Sequence, residues 1–209
     1  MIIMKDLILK INELKKSKIN SLIEKRAKEF ISFKRTNNNL FSELCFCTLT
    51  ANYNAEKAIV IQKKIGNGFI SFSEEKLKEK LKELGYRYPN KRAEYILVNR
   101  QYYPHLSKIL KEHSGETLRE WIVKHIKGLG FKEASHFLRN IGYPEYAIID
   151  FHIVNLLEKE KLITRPKNLS PENYIKIEKV LSKLGTKVSL NLAELDLYLW
   201  YLETGKVLK

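Results

Sequence analysis

The chain contains very little cysteine. Among its 209 residues only Cys45 and Cys47 are cysteines, and they lie two positions apart. On a helix this spacing points the side chains to different faces, which favours neither a metal-binding pair nor a disulfide. We therefore expect two buried free thiols in a reducing compartment. The five histidines show no zinc-binding spacing, and two cysteines are too few for an iron–sulfur cluster. We predict no metal and no cofactor.

Long apolar runs are also lacking, and the N-terminus has no signal-peptide pattern. These absences predict a cytoplasmic protein with no membrane partner. Acidic residues are in the minority, because 24 Asp and Glu stand against 38 Lys and Arg and leave a net charge of +14. Such a charge indicates a polyanionic partner, most often nucleic acid. A lysine-rich surface in a protein from a hot environment is the alternative explanation.

Proline and glycine are sparse, with five and nine residues, and lie mainly between stretches of helical periodicity. Ser73 and Ser170 occupy expected N-cap positions, the latter followed by Pro171, and Gly85 ends a helix. We find no period-two strands, internal repeat or low-complexity linker, and predict an all-α fold of roughly ten helices. The apolar stripes are Leu22, Ile23, Ala27, Phe30 and Ile31; Leu40, Leu44, Cys47 and Ala51; Leu77, Leu81 and Leu84; Leu118, Trp121, Ile122 and Ile126; Tyr174, Ile177, Leu181 and Leu184; and Leu192, Leu195, Leu199 and Leu202.

The segment Gly128, Leu129 and Gly130 predicts a tight turn between two helices. We expect one helix to end at Gly128 and the next to begin near Phe131. Two glycines allow positive φ and let the backbone approach a ligand closely. The first amides of the second helix can then hold a DNA phosphate. A simple helix cap with a short interhelical turn explains the same glycines and stays open as an alternative.

Lys132 falls in the opening turn of the second helix. In a lysine-rich chain a single lysine is most often a solvated surface charge. A helix N-terminus and partial burial, however, both disfavour the charged form of an amine. A neutral amine is what nucleophilic catalysis by lysine requires.

Asp150 follows 18 residues after Lys132. Gly142 is expected to end the second helix, a turn follows, and Asp150 then precedes a new helix as its N-cap. Capping is the structural explanation for this aspartate, and it is compatible with catalysis. Two helices and one short turn can bring Lys132 and Asp150 to one cleft.

Together these residues resemble the helix-hairpin-helix DNA glycosylase superfamily. The run from Lys132 to Gly142, with Asp150, Phe151 and His152, is most similar to the type 2 8-oxoguanine DNA glycosylases of archaea and bacteria. Residues 43–52 resemble the early helix of that family and the loop that enters the DNA, and residues 195–206 resemble its C-terminal end. The resemblance extends from about residue 40 to the terminus.

The resemblance implies a two-lobed all-α helix-hairpin-helix glycosylase fold with a DNA cleft between the lobes. Residues 1–36 and 150–209 are expected to form one lobe, and residues 37–149 the lobe that carries the hairpin. It further implies a monomeric base excision repair enzyme of prokaryotic origin, acting on double-stranded DNA that contains oxidised guanine. Endonuclease III-type relatives carry four C-terminal cysteines for an iron–sulfur cluster, which this chain lacks.

By the same resemblance, the damaged nucleotide is flipped out of the duplex. The amine of Lys132 attacks C1′ and displaces the base, a Schiff base forms, and β-elimination cuts the strand. Asp150 stabilises the positive charge that develops on the sugar. Monofunctional relatives keep the aspartate and lack the lysine, so Lys132 implies lyase activity.

The resemblance also assigns roles to flanking residues. Gly128, Leu129, Gly130 and His152 are expected to bind the DNA backbone. Asn52 is expected to fill the gap left by the flipped base, Trp200 to stack on that base, and the terminal Lys209 to lie near it. A turn asparagine, a buried histidine and a core tryptophan are the structural alternatives for Asn52, His152 and Trp200.

Two alternative functions remain at this point. One keeps the chemistry and changes the lesion, for example to an oxidised pyrimidine. The other is a helix-hairpin-helix DNA-binding module without catalysis, which explains the charge and the glycines but not the pairing of Lys132 with Asp150.

Overall fold

The computed structural model describes residues 4–209, and in this range all regular structure is helical, with no strand. This confirms the predicted all-α class. The helices are more numerous than the ten expected, because several short ones separate the periodic stretches. In chain order they are α1 (Lys5–Lys15), α2 (Ile19–Ile31), α3 (Asn37–Thr50), α4 (Ala55–Ile65), α5 (Gly68–Ser71), α6 (Glu74–Glu83), α7 (Pro89–Asn99), a 3₁₀ helix (Arg100–His105), α8 (Leu106–Glu112), α9 (Gly115–His125), α10 (Phe131–Asn140), α11 (Phe151–Lys159), α12 (Pro171–Val188) and α13 (Leu192–Thr204).

The chain divides into two compact units. The terminal unit comprises residues 1–33 and 138–209, and the central unit comprises residues 34–137. The sequence placed the boundaries at 36/37 and 149/150, so the second observed boundary lies earlier and falls inside α10.

Residues 138–149 belong to the terminal unit because their polar groups bond to its helices. The Arg139 guanidinium lies 4.3 Å from the centre of the Phe30 ring on α2, and 3.4 Å from the carboxylate of Asp196 on α13. The amide of Ala147 donates to Glu178 on α12 at 2.9 Å. The buried arginine, with both an aromatic face and a carboxylate, thus holds this segment against α2 and α13, and the Ala147 amide holds it against α12.

The core of the terminal unit contains the stripe predicted for α12. Tyr174, Ile177, Leu181 and Leu184 are all buried. The Ser170 hydroxyl caps this helix by accepting from the amide of Asn173, as expected. The stripe predicted for α2 is only partly right.

In α2, Ile23, Ala27 and Phe30 are buried, but Leu22 and Ile31 are 45% and 69% exposed. Because an α-helix turns once every 3.6 residues, Leu22 and Ile31 project from the two edges of the buried face and reach solvent.

The core of the central unit contains α3, which is buried on nearly every side from Leu40 to Thr50. Cys45 and Cys47 lie there and are both buried, as predicted. Burial raises the pKa of the Cys45 thiol well above its ordinary value, which makes this cysteine a packing residue and not a nucleophile. The Ser73 cap of α6 is also confirmed, because its hydroxyl accepts from the amide of Lys76.

Among residues 4–209, no helix is both long and apolar enough to cross a bilayer.

Gly185 on α12 supplies a test of how closely the terminal unit is packed. A Cβ placed on Gly185 lies 2.6 Å from the carbonyl oxygen of Leu190, a backbone atom that cannot rotate away. We expect Gly185→Ala to lower the free energy of unfolding by about 1–3 kcal/mol in urea denaturation, despite the higher helix propensity of alanine.

Ser182→Ala in the same helix is the matched control, because Ser182 is exposed. It should leave stability unchanged or slightly raised. Equal stability of Gly185→Ala and the natural protein would contradict this packing.

Candidate nucleic-acid interface and active site

The hairpin that precedes Lys132 is formed by residues 126–130 of the central unit. The helix before it, α9, ends at His125 and not at Gly128 as expected, because Ile126 adopts an extended conformation (φ −88°, ψ 110°) and buries its side chain. Gly128 has φ +88°, and α10 begins at Phe131 as predicted. Gly130 is not among the positive-φ residues, so only one of the two glycines serves the turn in that way.

Two amides of the hairpin are already used inside the protein. The Leu129 amide donates to the carbonyl of Ile126 at 3.4 Å, and the Gly130 amide donates to the carboxylate of Glu133 at 3.3 Å. The Leu129 side chain is buried, so this residue can offer a DNA strand only its backbone. The amides of the first turn of α10 have no acceptor within the helix and are therefore the better phosphate donors.

Lys132 lies in the first turn of α10, as predicted. Its side chain is 26% exposed, and its Nζ is 3.7 Å from Oε1 of Glu133. The same carboxylate accepts the Gly130 amide through its other oxygen, so Glu133 contacts both the hairpin and the lysine. A glutamate at the third position of a helix is a sequence signal for a cap of this kind, in which its carboxylate accepts from the amide that precedes the helix.

Helix α7 supports the hairpin, a role that the sequence did not predict. The side-chain amide of the fully buried Asn99 donates to the carbonyl of Lys127 at 2.9 Å and accepts from its amide at 2.8 Å. One turn earlier, the ring of Tyr95 lies against Gly128, where an added Cβ would be only 2.4 Å from the ring. Position 128 therefore requires glycine for two reasons: its φ is positive, and the Tyr95 ring leaves no space for a side chain.

The same helix supports the loop that carries Asn52. Arg92 on α7 donates to the carbonyl of Ala51 at 3.0 Å. Tyr86, three residues before α7, also holds this region, because its hydroxyl donates to the carbonyl of Leu49 at 2.8 Å. Asn52 is exposed, with φ +56°, in the turn between α3 and α4. Asparagine tolerates this left-handed conformation better than most residues, and the turn presents its side chain to solvent.

Cationic side chains cover the exposed part of α7 and the hairpin. The Nζ atoms of Lys91 and Lys127 lie 5.1 and 5.9 Å from the centre of the Tyr95 ring, and the guanidinium of Arg92 lies at 5.5 Å. Arg87 stacks on Tyr88 at 5.0 Å. Arginine and lysine ordered on aromatic rings are suited to hold phosphates and bases.

Asp150 lies in the terminal unit as the N-cap of α11, as predicted. Its Oδ1 accepts from the amide of Ile153 at 3.0 Å. Within the described part of its own unit, Oδ2 makes no hydrogen bond. The cap therefore fixes the orientation of the carboxylate and leaves one oxygen available.

Three aromatic residues of the terminal unit form a series that begins beside Asp150. The rings of Phe151 and His152 are 3.9 Å apart, and those of His152 and Trp200 are 5.2 Å apart in an edge-to-face arrangement. Phe151 is 61% exposed. Within the described part of this unit, the buried indole N–H of Trp200 finds no acceptor, which is uncommon for a buried donor.

Lys209 is half-buried at the end of the chain. Of the predicted site residues, Gly128, Leu129, Gly130, Lys132 and Asn52 therefore lie in the central unit, and Asp150, His152, Trp200 and Lys209 lie in the terminal unit. Residues 4–209 contain no cluster of His, Cys, Asp and Glu that could hold a metal ion.

Known proteins are similar to this chain in sequence and in fold. A sequence model of the family described as 8-oxoguanine DNA glycosylase matches residues 23–190. A relative from Methanocaldococcus jannaschii named 8-oxoguanine DNA glycosylase/AP lyase is 52% identical over 206 residues, which cover 97% of this chain and 99% of the relative. A relative of the same name from Korarchaeum cryptofilum is 50% identical over 206 residues, which cover 98% of each chain.

The solved structures that are similar to this chain include the M. jannaschii 8-oxoguanine glycosylase/lyase in complex with a 15mer DNA that contains 8-oxoguanine. Its TM-score to this chain is 0.94 at 51% identity, over 97% of this chain and 99% of that one. The all-helical fold and the hairpin define a helix-hairpin-helix DNA glycosylase fold. More narrowly, the chain belongs to the 8-oxoguanine DNA glycosylase family, which confirms the resemblance read from the sequence.

The cap that Asp150 makes on α11 can be tested by substitution. Asp150→Ala removes the cap of α11 and should lower the free energy of unfolding by about 1 kcal/mol. Asp150→Asn should lower it far less, because asparagine caps a helix as well as aspartate does. Urea denaturation of both variants measures the difference.

Ser170→Ala, which removes the cap of α12, is the control for a lost cap elsewhere in the same unit. If Asp150→Ala were as stable as Asp150→Asn, the cap would not be a stabilising contact.

Proposed function

We propose that the protein is a bifunctional base excision repair enzyme that removes 8-oxoguanine from duplex DNA and then cleaves the strand through Lys132. The observation that carries this proposal is the position of Lys132 in the first turn of α10, directly after a two-glycine hairpin. The relatives' names, which combine a glycosylase with an AP lyase, support both activities. The structural relative bound to DNA with 8-oxoguanine supports the lesion.

The hairpin holds the DNA strand next to the lesion. A phosphate accepts hydrogen bonds from the amides of the first turn of α10, and the positive end of the helix dipole favours the anion. The net charge of +14 and the cations ordered on Tyr95 add an attraction that does not depend on DNA sequence. The exposed Asn52 fills the space that the flipped nucleotide leaves.

Lys132 is the nucleophile. Its Nζ, as a neutral amine, forms a bond to C1′ of the extruded nucleotide while the bond from C1′ to the base breaks, and the base leaves with the bonding electrons and a proton. Opening of the sugar ring converts the adduct into a Schiff base. Loss of a C2′ proton then breaks the C3′–O bond and cuts the strand by β-elimination.

Asp150 stabilises the positive charge on the sugar as the base departs. Because Oδ1 is held by the Ile153 amide, the carboxylate keeps its orientation without reorganising during the reaction. In the same unit we propose that His152 contacts the DNA backbone, and that Trp200 and the terminal Lys209 contact the extruded base. The Trp200 indole N–H, buried without an acceptor in its unit, supports a base-facing role.

A glycosylase/lyase for another oxidised base is the second candidate, since the same lysine chemistry serves any extruded nucleotide. Excision rates on duplexes that each carry one lesion distinguish the two. We further propose that the protein is a cytoplasmic, nucleoid-associated monomer from a prokaryote and that it acts without a cofactor. The archaeal sources of its relatives support the prokaryotic origin.

Trapping of the covalent intermediate tests the nucleophile. Incubation with an 8-oxoguanine duplex and borohydride should give a covalent protein–DNA adduct on a denaturing gel, because borohydride reduces the Schiff base to a stable amine. Lys132→Gln should abolish the adduct. Lys124→Gln on α9, the same loss of charge at an exposed position, should leave the adduct unchanged.

Absence of an adduct from the natural protein, on every lesion and on an abasic site, would rule out the lyase and leave a DNA-binding module.

Asp150→Asn tests the carboxylate. It keeps the cap and removes the negative charge, so we expect the single-turnover excision rate to fall by roughly 100-fold or more while the Kd for DNA stays within a small factor. Gel shift and quenched-flow measurements give the two quantities. A variant that excises at the natural rate would show that Asp150 is only a cap.

A further inference from the structure

The hydrogen bonds of Asn99 to the hairpin form a closed pair between one side chain and one backbone residue. The Nδ2 group donates to the Lys127 carbonyl at 2.9 Å, and Oδ1 accepts from the Lys127 amide at 2.8 Å. Both bonds have ordinary length for N–H···O contacts. The side chain of Asn99 is fully buried, so it does not exchange these bonds for water.

Only a primary amide of this length can make both bonds. The Asn99 side chain presents one donor and one acceptor in a plane, like a neighbouring peptide group in a β ladder. Aspartate keeps the acceptor and replaces the donor with a second acceptor, which faces the Lys127 carbonyl. The bridge therefore depends on the identity of the residue and not on packing alone.

The bridge acts at the entry to the hairpin. Lys127 directly precedes Gly128, and Tyr95, one turn before Asn99 on α7, fills the space where a Gly128 side chain would lie. Asn99 fixes both backbone groups of Lys127, and Tyr95 fixes the next residue. The hairpin backbone is thus held by residues of α7, which is neither of the two helices that the hairpin joins.

We infer that Asn99 is a positioning residue that holds the hairpin backbone in the conformation that binds a DNA phosphate. The inference rests on the proposed function, and it adds a residue that touches neither DNA nor the reacting atoms. Loss of the bridge removes binding energy that the substrate and the transition state share. The Kd for DNA should therefore rise, while the rate of chemistry on bound DNA changes little.

The test compares Asn99→Asp with Asn37→Asp. Asn37, half-buried elsewhere in the central unit, also makes two hydrogen bonds to the backbone through one side-chain amide, donating to the Pro104 carbonyl at 2.9 Å and accepting from the Ser107 amide at 2.9 Å. Each variant loses one donor and gains one negative charge. The probe is a duplex with a non-cleavable tetrahydrofuran abasic site, and the melting temperature of each variant is measured beside its Kd.

We expect Asn99→Asp to raise the Kd by about tenfold or more, and the single-turnover excision rate at saturating enzyme to change by less than about threefold. Asn37→Asp should leave the Kd within about twofold, whatever its change in melting temperature. A Kd for Asn99→Asp within twofold of the natural protein overturns the inference. An equal rise in both variants also overturns it, because the loss then reflects general destabilisation or charge.

A measurement on the natural protein covers the case in which Asn99→Asp does not fold. In hydrogen exchange of the free protein, the Lys127 amide should be protected, since Asn99 is its acceptor. Exchange at the rate of an exposed, unbonded amide would overturn the inference. Tight DNA binding without a borohydride adduct would refute the proposed chemistry but still test Asn99 through the Kd; no DNA binding at all would refute both.

Discussion

The contact between Gly128 and the Tyr95 ring is the constraint on which the arrangement of the hairpin depends. An added Cβ would lie 2.4 Å from that ring, so the turn and α7 fit together only with glycine at this position. Arg92, Tyr95 and Asn99 follow one another at spacings of three and four residues and thus share a face of α7. Through this face one helix contacts both the Asn52 loop and the hairpin, so the fold of the central unit fixes the relative position of these two segments, to which we assign DNA binding.

In the terminal unit a single aspartate, Asp150, has a structural role as a helix cap and, in our proposal, a chemical role as well. Capping of α11 uses one carboxylate oxygen of Asp150 and fixes the side-chain rotamer, so the other oxygen is oriented before any substrate binds. Preorganisation of this kind makes electrostatic stabilisation effective, because no reorganisation is needed when charge develops. The adjoining rings of His152 and Trp200, and the buried indole N–H, place further polar and aromatic groups close by in the same unit.

Local signals in the sequence predicted local structure. The Asp150 cap and the start of α10 before Lys132 depend on residues a few positions apart, and both are confirmed. The end of α9 was predicted wrongly at Gly128, because a glycine marks the turn and not the last helical residue. The role of Asn99 could not be predicted, since its partner lies 28 residues away and only tertiary packing brings the two together. The chemistry was predicted from the resemblance of the hairpin, Lys132 and Asp150 to the glycosylase superfamily, and the family is confirmed by a relative that is 52% identical over 97% of this chain.

The central claim is that Lys132 forms the covalent bond to the sugar. Mass spectrometry of the borohydride-reduced adduct tests this most directly, after digestion of both the protein and the DNA, because it identifies the residue that keeps the sugar remnant. We expect the added mass on the peptide that contains Lys132 and on no other lysine of this lysine-rich chain. A remnant on a different lysine or on the N-terminal amine would contradict it.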